Sequence, residues 1–225
     1  MSIRKCVLLL RDGHYLNAGA LSFCQARLEV LAAVESSKVD EEALAALGPD
    51  VVLNFLSEKI LKGRLLTEFP AINFHPATPD YPGRGGASLA LFDGVPRYGA
   101  TAHMIAREID AGPILGVEEF DLIAGESCES VYFRAELASL SLFMNIVQQI
   151  ADTGVIPPAV DRKWGRKPIT KKEFQQWLVA DVSKPEEFAR KISAARHSRF
   201  PGPFVDVHGF RFAFHGGAKT DGKNE

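Results

Sequence analysis

The sequence has almost no excess of charge of one sign. Lys and Arg number 26 among 225 residues, Asp and Glu number 28, and the formal net charge is -2. Proteins that bind nucleic acid or an anionic membrane over a broad surface usually carry a clear basic excess. The charge balance therefore argues against both partners, and any anionic ligand has to be bound by a local group of cations.

Cysteine is also scarce. Cys6, Cys24 and Cys128 are far apart and form no CxxC pair, so we expect neither a disulfide framework nor a zinc site. The six histidines include no HExxH or HxxxH spacing, which would place two imidazoles on one helical face. We predict no metal site from these patterns.

Long hydrophobic runs are missing. The longest apolar stretch near the start covers only Val7 to Leu10, which is too short for a signal-peptide core or a membrane-spanning helix. Hydrophobic residues make up 46% of the chain and charged residues 24%, as in ordinary folded soluble proteins. We therefore expect a cytoplasmic protein.

Strand-like and helix-like segments alternate along the first two thirds of the chain. The predicted strands are 6–11, 29–34, 50–55, 71–74, 98–105 and 114–120, and the predicted helices are 21–28, 40–47, 57–66, 87–92 and 127–150. This order predicts an α/β protein with a mostly parallel sheet and helices on both faces. In the last helix, an apolar set spaced by three and four residues predicts the buried stripe, namely Phe133, Leu137, Leu140, Met144, Val147 and Ile150.

The α/β alternation ends near Val155, where proline and basic residues become frequent. We predict three parts: a main domain at residues 1–155, a small C-terminal appendage at 156–215, and a disordered tail at 216–225 that contains no large hydrophobic residue. Alternating apolar residues around His208-Gly209 predict a β-hairpin over 200–214. This hairpin could form a subunit interface or could close over the sheet of its own chain.

The chemically informative residues begin at Asn73 and His75, where a predicted strand enters a loop rich in proline and glycine. Side chains two residues apart project from the same face of a strand, so both reach one volume beyond the strand's carboxyl end, where open α/β sheets bind ligands. An amide can stabilise an oxyanion and an imidazole can move a proton, so the pair suits acyl transfer. The alternative is a structural role, with Asn73 capping a turn.

A second candidate is Asp110, which precedes Ala-Gly-Pro and is therefore held in a turn. Its carboxylate could orient a protonated imidazole or receive a proton from an amine. The alternative is a solvated turn residue, because aspartate is common in turns.

Several ordered motifs resemble the formyltransferase superfamily that uses 10-formyltetrahydrofolate. They are Ile72-Asn73-Phe74-His75-Pro76, Tyr81-Pro82-Gly83-Arg84-Gly85-Gly86, Tyr98-Gly99-Ala100-Thr101-Ala102-His103-Met104 and Ile109-Asp110-Ala111-Gly112-Pro113-Ile114. The resemblance is strong over residues 50–120 and weak on either side. It implies a Rossmann-like core and an enzyme that transfers the formyl group to a primary amine.

By this resemblance, Asn73, His75 and Asp110 match the catalytic residues of the superfamily. The co-substrate would be 10-formyltetrahydrofolate, with its pterin against the loops that follow residue 55 and precede Asp110. The implied cofactor-binding positions are Phe55, Leu56, Ser57, Glu58, Lys59, Ile105 and Ala106. Backbone groups would make these contacts, although Phe55 and Ile105 could also supply apolar walls or be ordinary core residues.

The acceptor amine is predicted by comparing superfamily members. The stretch from Arg11 to Asn17 lacks the glycine-rich loop with which glycinamide ribonucleotide transformylases bind a phosphate, and Asp12 would oppose that phosphate. Methionyl-tRNA formyltransferases carry a longer C-terminal domain and a basic channel. A nucleotide-linked amino sugar is therefore the preferred acceptor, with the other two amines as alternatives.

A basic run near the C-terminal end, Arg166, Lys167, Lys171 and Lys172, could meet the diphosphate of such an acceptor. We expect Arg84, Arg166 and Lys167 to bind the substrate, and we expect the segment after Val155 to take part in acceptor binding or dimerisation but not in the folate chemistry. The alternative is that the basic run is a solvated surface leading into the helix that follows it. A homodimer is expected, and a non-catalytic folate-binding relative is a further alternative to the enzyme.

Overall fold

The fold is built on one mixed six-stranded sheet. A computed structural model describes residues 2–198, 200 and 202–214, so the predicted tail at 216–225 lies outside the described residues. The strands are β1 (Lys5–Leu10), β2 (Glu29–Glu35), β3 (Val51–Phe55), β4 (Ala71–His75), β5 (Arg97–Met104), β6 (Ile114–Asp121), β7 (Phe204–Val207) and β8 (Phe210–Ala213). The helices are α1 (Asn17–Gln25), α2 (Glu41–Ala45), α3 (Arg64–Thr67), α4 (Gly86–Asp93), α5 (Cys128–Thr153), α6 (Lys171–Trp177) and α7 (Pro185–Ala195).

The strand order is β2-β1-β3-β4-β5-β6. The first four strands are mutually parallel, whereas β5 runs antiparallel to both β4 and β6. The expected mostly parallel sheet is confirmed, and the reversal at β5 has a consequence for the site. It pairs the C-terminal end of β5 with β4, so residues of both strands lie side by side there.

Helices cover both faces of the sheet, as predicted. Alternate residues of β1 enter different cores because side chains of a strand point to opposite faces. Cys6 and Leu8 pack with α1 and α5, whereas Val7 and Leu9 pack with α2 and α3. This arrangement explains why β1 is both apolar and buried from Cys6 onward.

The helix predicted at residues 57–66 is wrong. The chain is irregular from Ser57 to Gly63, and only the four residues of α3 are helical. One reason is that the Glu41 carboxylate accepts the N–H groups of Lys62 (3.1 Å) and Gly63 (2.7 Å), so a tertiary contact ends the loop immediately before α3. Ile60, which lies inside the predicted helix, is exposed.

The predicted buried stripe of α5 is only partly correct. Val147 and Ile150 are fully buried, but Phe133, Leu137 and Met144 are exposed. The buried face instead begins with small or β-branched residues that allow close packing on the sheet, and it contains Val131, Ala135, Ala138, Ser139, Leu142, Phe143 and Ile146. A periodic apolar set on a helix therefore did not identify the face that packs.

The C-terminal hairpin is confirmed as β7 and β8, which form a separate two-stranded antiparallel sheet. It is attached through Phe204, whose backbone exchanges hydrogen bonds with Leu178 (2.9 Å) and Ala180 (2.7 Å). Phe210 and Phe212 are exposed. Within the described residues, no helix has both the length and the apolar character needed to cross a membrane.

Candidate active site

Three adjacent strands place polar side chains side by side near the carboxyl end of β4. Asn54 of β3 pairs in register with Asn73 of β4, and Asn73 pairs with His103 of β5. The Asn54 amide Nδ2 donates to Asn73 Oδ1 at 2.9 Å, and Asn73 Nδ2 lies 3.0 Å from His103 Nε2. The pairing of the strands thus holds the Asn73 amide in one orientation.

Asp110 completes the group from the loop between β5 and β6. Its Oδ1 lies 3.3 Å from His103 Nε2, its Oδ2 lies 3.6 Å from His75 Nε2, and its Oδ2 accepts the Gly83 N–H at 2.8 Å. One carboxylate therefore faces two imidazoles. We call Asn73, His75, His103 and Asp110 the Asn–His–Asp cluster; it contains all three residues predicted to be catalytic.

The backbone around Asp110 is unusual. Asp110 has φ +43°, a conformation that non-glycine residues adopt at a cost of roughly 1–3 kcal/mol and that occurs often at functional sites. Gly83, with φ +86°, lies so close to Ile169 that a Cβ would overlap the backbone of that residue. Glycine is therefore required where the loop after β4 brings an N–H to the carboxylate.

The protonation states of the acid and the base follow from their surroundings. Burial opposes ionisation of Asp110, but the neighbouring His75 and His103 imidazoles and the hydrogen bond from the Gly83 N–H outweigh it and hold the Asp110 pKa well below its usual range. Burial lowers the pKa of His75, and the charge of Asp110 offsets this only in part. At neutral pH the site therefore holds an Asp110 carboxylate and a neutral His75.

His75 Nε2 faces Asp110 at 3.6 Å, which is too long for a hydrogen bond. This nitrogen is buried and makes no hydrogen bond to any described residue, although the side chain as a whole keeps 13% exposure. A buried polar atom without a partner is costly. A substrate oxygen or amine could supply the missing hydrogen bond, so the arrangement fits an imidazole that acts on a bound ligand.

His103 is a member of the cluster that the sequence reasoning missed. Its Nδ1 lies 2.9 Å from the Met104 carbonyl oxygen, and because a carbonyl only accepts, Nδ1 carries a proton. Nε2 then accepts the N–H of the Asn73 amide, 3.0 Å away. The spacing of Asn73 and His103 in sequence, thirty residues, gives no signal of this contact; only the strand register does.

The predicted cofactor-binding positions divide between core and surface. Phe55 is fully buried against Phe74 and Phe143, so any part of Phe55 in cofactor binding falls to its backbone. Ile105 is half-buried, packs on the core beside β4, and donates its N–H to the Ala71 carbonyl at 2.7 Å. Ala106, also half-buried, follows it in the loop that leads to Asp110.

The other predicted cofactor positions lie in the irregular segment after β3. Leu56 is buried with φ +56°, a second strained backbone beside the site. Ser57 Oγ lies 2.8 Å from Ser36 Oγ, and Lys59 Nζ lies 3.9 Å from Glu41. Glu58 turns its carboxylate toward Arg11 and Arg84, at 3.4 Å from each.

The predicted substrate-binding residues lie along one loop system. Arg84 is half exposed beside Gly83, and its N–H donates to the Ile169 carbonyl at 2.8 Å. Arg166 pairs with Asp93 at 3.2 Å and stacks on the Tyr81 ring, and Lys167 is exposed. Arg166 is thus partly occupied by a contact within the protein.

The expectation that the segment after Val155 takes no part in the folate chemistry stays a prediction, but this segment does contact the Asn–His–Asp cluster. Trp164 packs edge-on against His103, with ring centroids 5.0 Å apart, and its Nε1 donates to the Gly112 carbonyl at 2.9 Å. The segment is also attached to the loop after β4, where Gly165 donates to Pro79. The segment therefore supports one wall of the Asn–His–Asp cluster, which sequence spacing could not indicate.

Comparison with known proteins gives the class. The Formyl transferase family model matches residues 22–147, more than half of the chain. The chain belongs to the formyl transferase family.

Two curated relatives represent different acceptors. A phosphoribosylglycinamide formyltransferase of Mycobacterium tuberculosis is 33% identical over 128 residues, covering 56% of this chain and 60% of its own length. A methionyl-tRNA formyltransferase of Treponema pallidum is 31% identical over 176 residues, covering 76% of this chain and 54% of its own length. The chain thus spans little more than half the length of the curated relatives it matches.

Solved structures show the same fold over nearly the whole chain. A 4-N formyltransferase from Francisella tularensis aligns with a TM-score of 0.78 at 16% identity, covering 95% of this chain and 97% of its own. An N-formyltransferase from Helicobacter canadensis, solved with folinic acid and dTDP-3-aminofucose, aligns with a TM-score of 0.70 at 13% identity, covering 92% and 85%. These matches extend beyond the family model into the C-terminal segment.

Proposed function

We propose that the protein is an enzyme that transfers a formyl group from 10-formyltetrahydrofolate to a primary amine. The observation that carries the proposal is the convergence of Asn73, His75 and Asp110, with one carboxylate shared by two imidazoles. Family membership supports the reaction class and the folate co-substrate. We propose that this reaction takes place in the cytoplasm.

Each residue of the cluster has a task in this reaction. The amine attacks the formyl carbon, and negative charge develops on the formyl oxygen. One N–H of the Asn73 amide is used by His103, and the other can stabilise the oxyanion together with His75. Asp110 orients His75 and stabilises its protonated form, so the pair can hold the proton that the amine loses. As the intermediate collapses, the bond between the formyl carbon and the folate nitrogen breaks and the held proton passes to that nitrogen, which releases tetrahydrofolate and a formamide.

The proposed acceptor is a nucleotide-linked amino sugar. Gly13, the one glycine in the loop after β1, has its N–H committed to the Glu35 carboxylate at 2.9 Å, which supports the view that this loop is no phosphate-binding nest. Asp12 accepts hydrogen bonds from Ser37. Glycinamide ribonucleotide and methionyl-tRNA are the competing acceptors, since the curated relatives carry those names.

The predicted substrate contacts are retained as part of this proposal. Arg84 is the residue after Gly83, whose N–H binds Asp110. Arg166 and Lys167 lie along the same loop system and would meet a more distant part of the acceptor. The folate would contact residues 55–59 in one loop and residues 105 and 106 in the other.

A homodimer is also part of the proposal, with the hairpin as its contact. Phe210 is 70% exposed and Phe212 58% exposed, and aromatic side chains on a surface hairpin favour burial against a partner. The mass of the protein in solution by light scattering should be that of a dimer, and Phe210→Ser with Phe212→Ser should shift it to that of a monomer. A wild-type monomer at micromolar concentration would contradict this part.

The reaction is tested by offering the purified protein 10-formyltetrahydrofolate with nucleotide-linked amino sugars, glycinamide ribonucleotide or methionyl-tRNA at equal concentration. Tetrahydrofolate release and formamide mass are measured together. We expect at least one amino sugar to be formylated fastest. Formylation of either other acceptor alone would change the acceptor and keep the enzyme class, whereas folate binding without release of tetrahydrofolate would identify a non-catalytic relative.

A further inference from the structure

A carboxylate lies between two arginines at the edge of the candidate site. Glu58, in the segment after β3, places Oε1 3.4 Å from Arg11 and Oε2 3.4 Å from Arg84. Arg11 follows β1 and Arg84 follows β4, and both strands are neighbours of β3 in the sheet. Two cations from separate loops therefore converge on one side chain at the ligand-binding edge.

Arg11 is held in place by a network that includes a buried charge. Its Nη1 donates to Tyr132 OH at 2.6 Å and to Glu136 at 3.3 Å. Glu136 is fully buried in α5 and also accepts from Tyr15 at 2.8 Å. Burial raises the pKa of Glu136, but hydrogen bonds from His14 and Tyr15 and the charge of Arg11 lower it further, so the carboxyl is ionised.

A buried carboxylate is costly to maintain. The Glu136 carboxylate fixes the Arg11 guanidinium with Nη2 turned toward Glu58. The Nη2 group is therefore oriented before an anion binds. Bidentate recognition of an oxyanion by arginine depends on such a fixed orientation.

Glu58, in contrast, is held weakly. Both of its ion pairs are 3.4 Å long, and its side chain is 48% exposed. Exposed ion pairs of this kind contribute little stability. A cleft of about 490 Å³ borders Glu58, and Lys59 and Lys62 line it together with Asp12 and Glu41. Lys59 already lies 3.9 Å from Glu41, so Lys62 is the cation in this cleft that a displaced Glu58 carboxylate would meet.

The site is close enough to the Asn–His–Asp cluster to serve the same ligand. Gly83 N–H donates to Asp110 and Arg84 is the next residue, and the charge of Arg84 contributes to lowering the His75 pKa. An anion bound between Arg11 and Arg84 would thus belong to a molecule that also reaches the cluster.

We propose that Arg11 and Arg84 bind an anionic group of the acceptor and that Glu58 is a resident counter-ion which this anion displaces. The assignment to the acceptor rests on the proposed function. The chemistry selects a phosphate, diphosphate or carboxylate close to the reacting amine. This anion would bind the Arg11 side chain and not the backbone of the loop after β1, where the Gly13 N–H is bound to Glu35 and the Asp12 carboxylate to Ser37. Acceptors with too little negative charge to displace Glu58 would bind weakly. The affinity for the anion should fall with ionic strength.

The test measures binding of inorganic pyrophosphate by calorimetry, without folate or amine. Glu58→Gln should bind pyrophosphate roughly fivefold tighter than the wild type, because the competing charge is removed while the side-chain size is kept. Arg11→Gln and Arg84→Gln should each weaken binding roughly tenfold or more. Far-ultraviolet circular dichroism and the melting temperature establish that each variant is folded.

The chain offers a matched control. Glu119 also lies between two arginines, Arg97 at 3.2 Å and Arg162 at 3.4 Å, but those arginines have further acidic partners in Asp121 and Asp80. Glu119→Gln should leave pyrophosphate affinity unchanged. A second comparison is Arg166→Gln with Lys167→Gln, which should lower pyrophosphate affinity less than either single arginine variant.

The outcomes separate this proposal from the proposed function. The counter-ion role is wrong if Glu58→Gln and Glu119→Gln have the same affinity for pyrophosphate. It is also wrong if the Arg11 and Arg84 variants bind pyrophosphate as the wild type does, or if neither the wild type nor Glu58→Gln binds it at millimolar concentration. If the binding pattern is as expected but no amine is formylated, the anion site stands and the proposed reaction fails. In an active enzyme, Glu58→Gln should also lower the KM for the acceptor.

Discussion

The Asn–His–Asp cluster and the basic run differ in how the fold treats their charges. Asp110 and His103 are buried and lie 3.3 Å from each other. His103 also contacts Asn73 of the neighbouring strand. Arg166 and Lys167 are exposed, and Arg166 makes a surface ion pair and stacks on a ring. Burial and neighbouring contacts fix the orientation of the first pair, whereas exposed cations act as adjustable charges. The first arrangement suits chemistry, and the second suits attraction of a ligand.

Removing the polar groups of the cluster should give the largest effect on catalysis. We expect Asn73→Ala and His75→Ala each to reduce kcat by roughly 10²–10³, because an oxyanion donor is lost. Single-turnover formylation measures the effect. Asn145→Ala and His208→Ala, at exposed positions, are the matched controls and should retain wild-type rates. Near-native turnover of both cluster variants would remove the catalytic assignment.

Asp110→Asn should lower activity by about tenfold or more, since His75 loses the charge that stabilises its protonated form. The sign of the accompanying change in pKa is fixed: Asp110 raises the pKa of His75, so the variant should show a His75 pKa lower than that of the wild type. Histidine NMR titration measures this, with His75→Gln used to assign the signal. An unchanged or increased His75 pKa would show that Asp110 does not act on this imidazole.

The pH dependence of stability tests the same burial. The pKa of His75 is lowered in the folded state, so below about pH 6.5 the unfolded state binds more protons and stability falls as pH falls. The contribution of one such group is at most about 1.4 kcal/mol per pH unit. Urea unfolding between pH 7.5 and 5 should therefore show a shallower loss of stability for His75→Gln. Equal slopes would mean that His75 is solvated.

Trp164→Phe examines whether the C-terminal segment supports the cluster. The variant keeps an aromatic ring near His103 but loses the hydrogen bond to the Gly112 carbonyl, which should cost about 1 kcal/mol of stability and lower kcat. Chemical unfolding and steady-state rates measure the two effects. A change confined to the acceptor KM would place Trp164 in acceptor binding alone.

The smallest effect is expected from neutralising the basic run. Replacing Arg166, Lys167, Lys171 and Lys172 by Gln should raise the acceptor KM a few-fold and leave kcat and folate affinity unchanged, because uniform binding is lost without a change at the reacting groups. High salt should abolish the difference from wild type. Unchanged acceptor saturation in a folded variant would make the run an ordinary solvated surface.

The sequence predicted several elements well, for identifiable reasons. The strands and the hairpin at His208-Gly209 carry local signals of apolar runs and turn residues. The helix at residues 57–66 was wrong because Glu41, sixteen or more residues away, binds the backbone before α3. The face of α5 was partly wrong because Phe133 and Leu137 have the right period but point away from the sheet.

The sequence by itself determined that Asn73 and His75 share a face, since the side-chain period of a strand is two, and its motifs indicated the formyl transferase family. Only the tertiary structure decided that His103 lies against Asn73, that Asp110 spans two imidazoles, and that Glu58 lies between Arg11 and Arg84. Except for His103 and Asp110, which are 7 positions apart, these contacts join residues 26 to 47 positions apart on different strands and loops. Strand order, strand direction and register set such distances, and all three result from packing the whole chain rather than from any local pattern of residues.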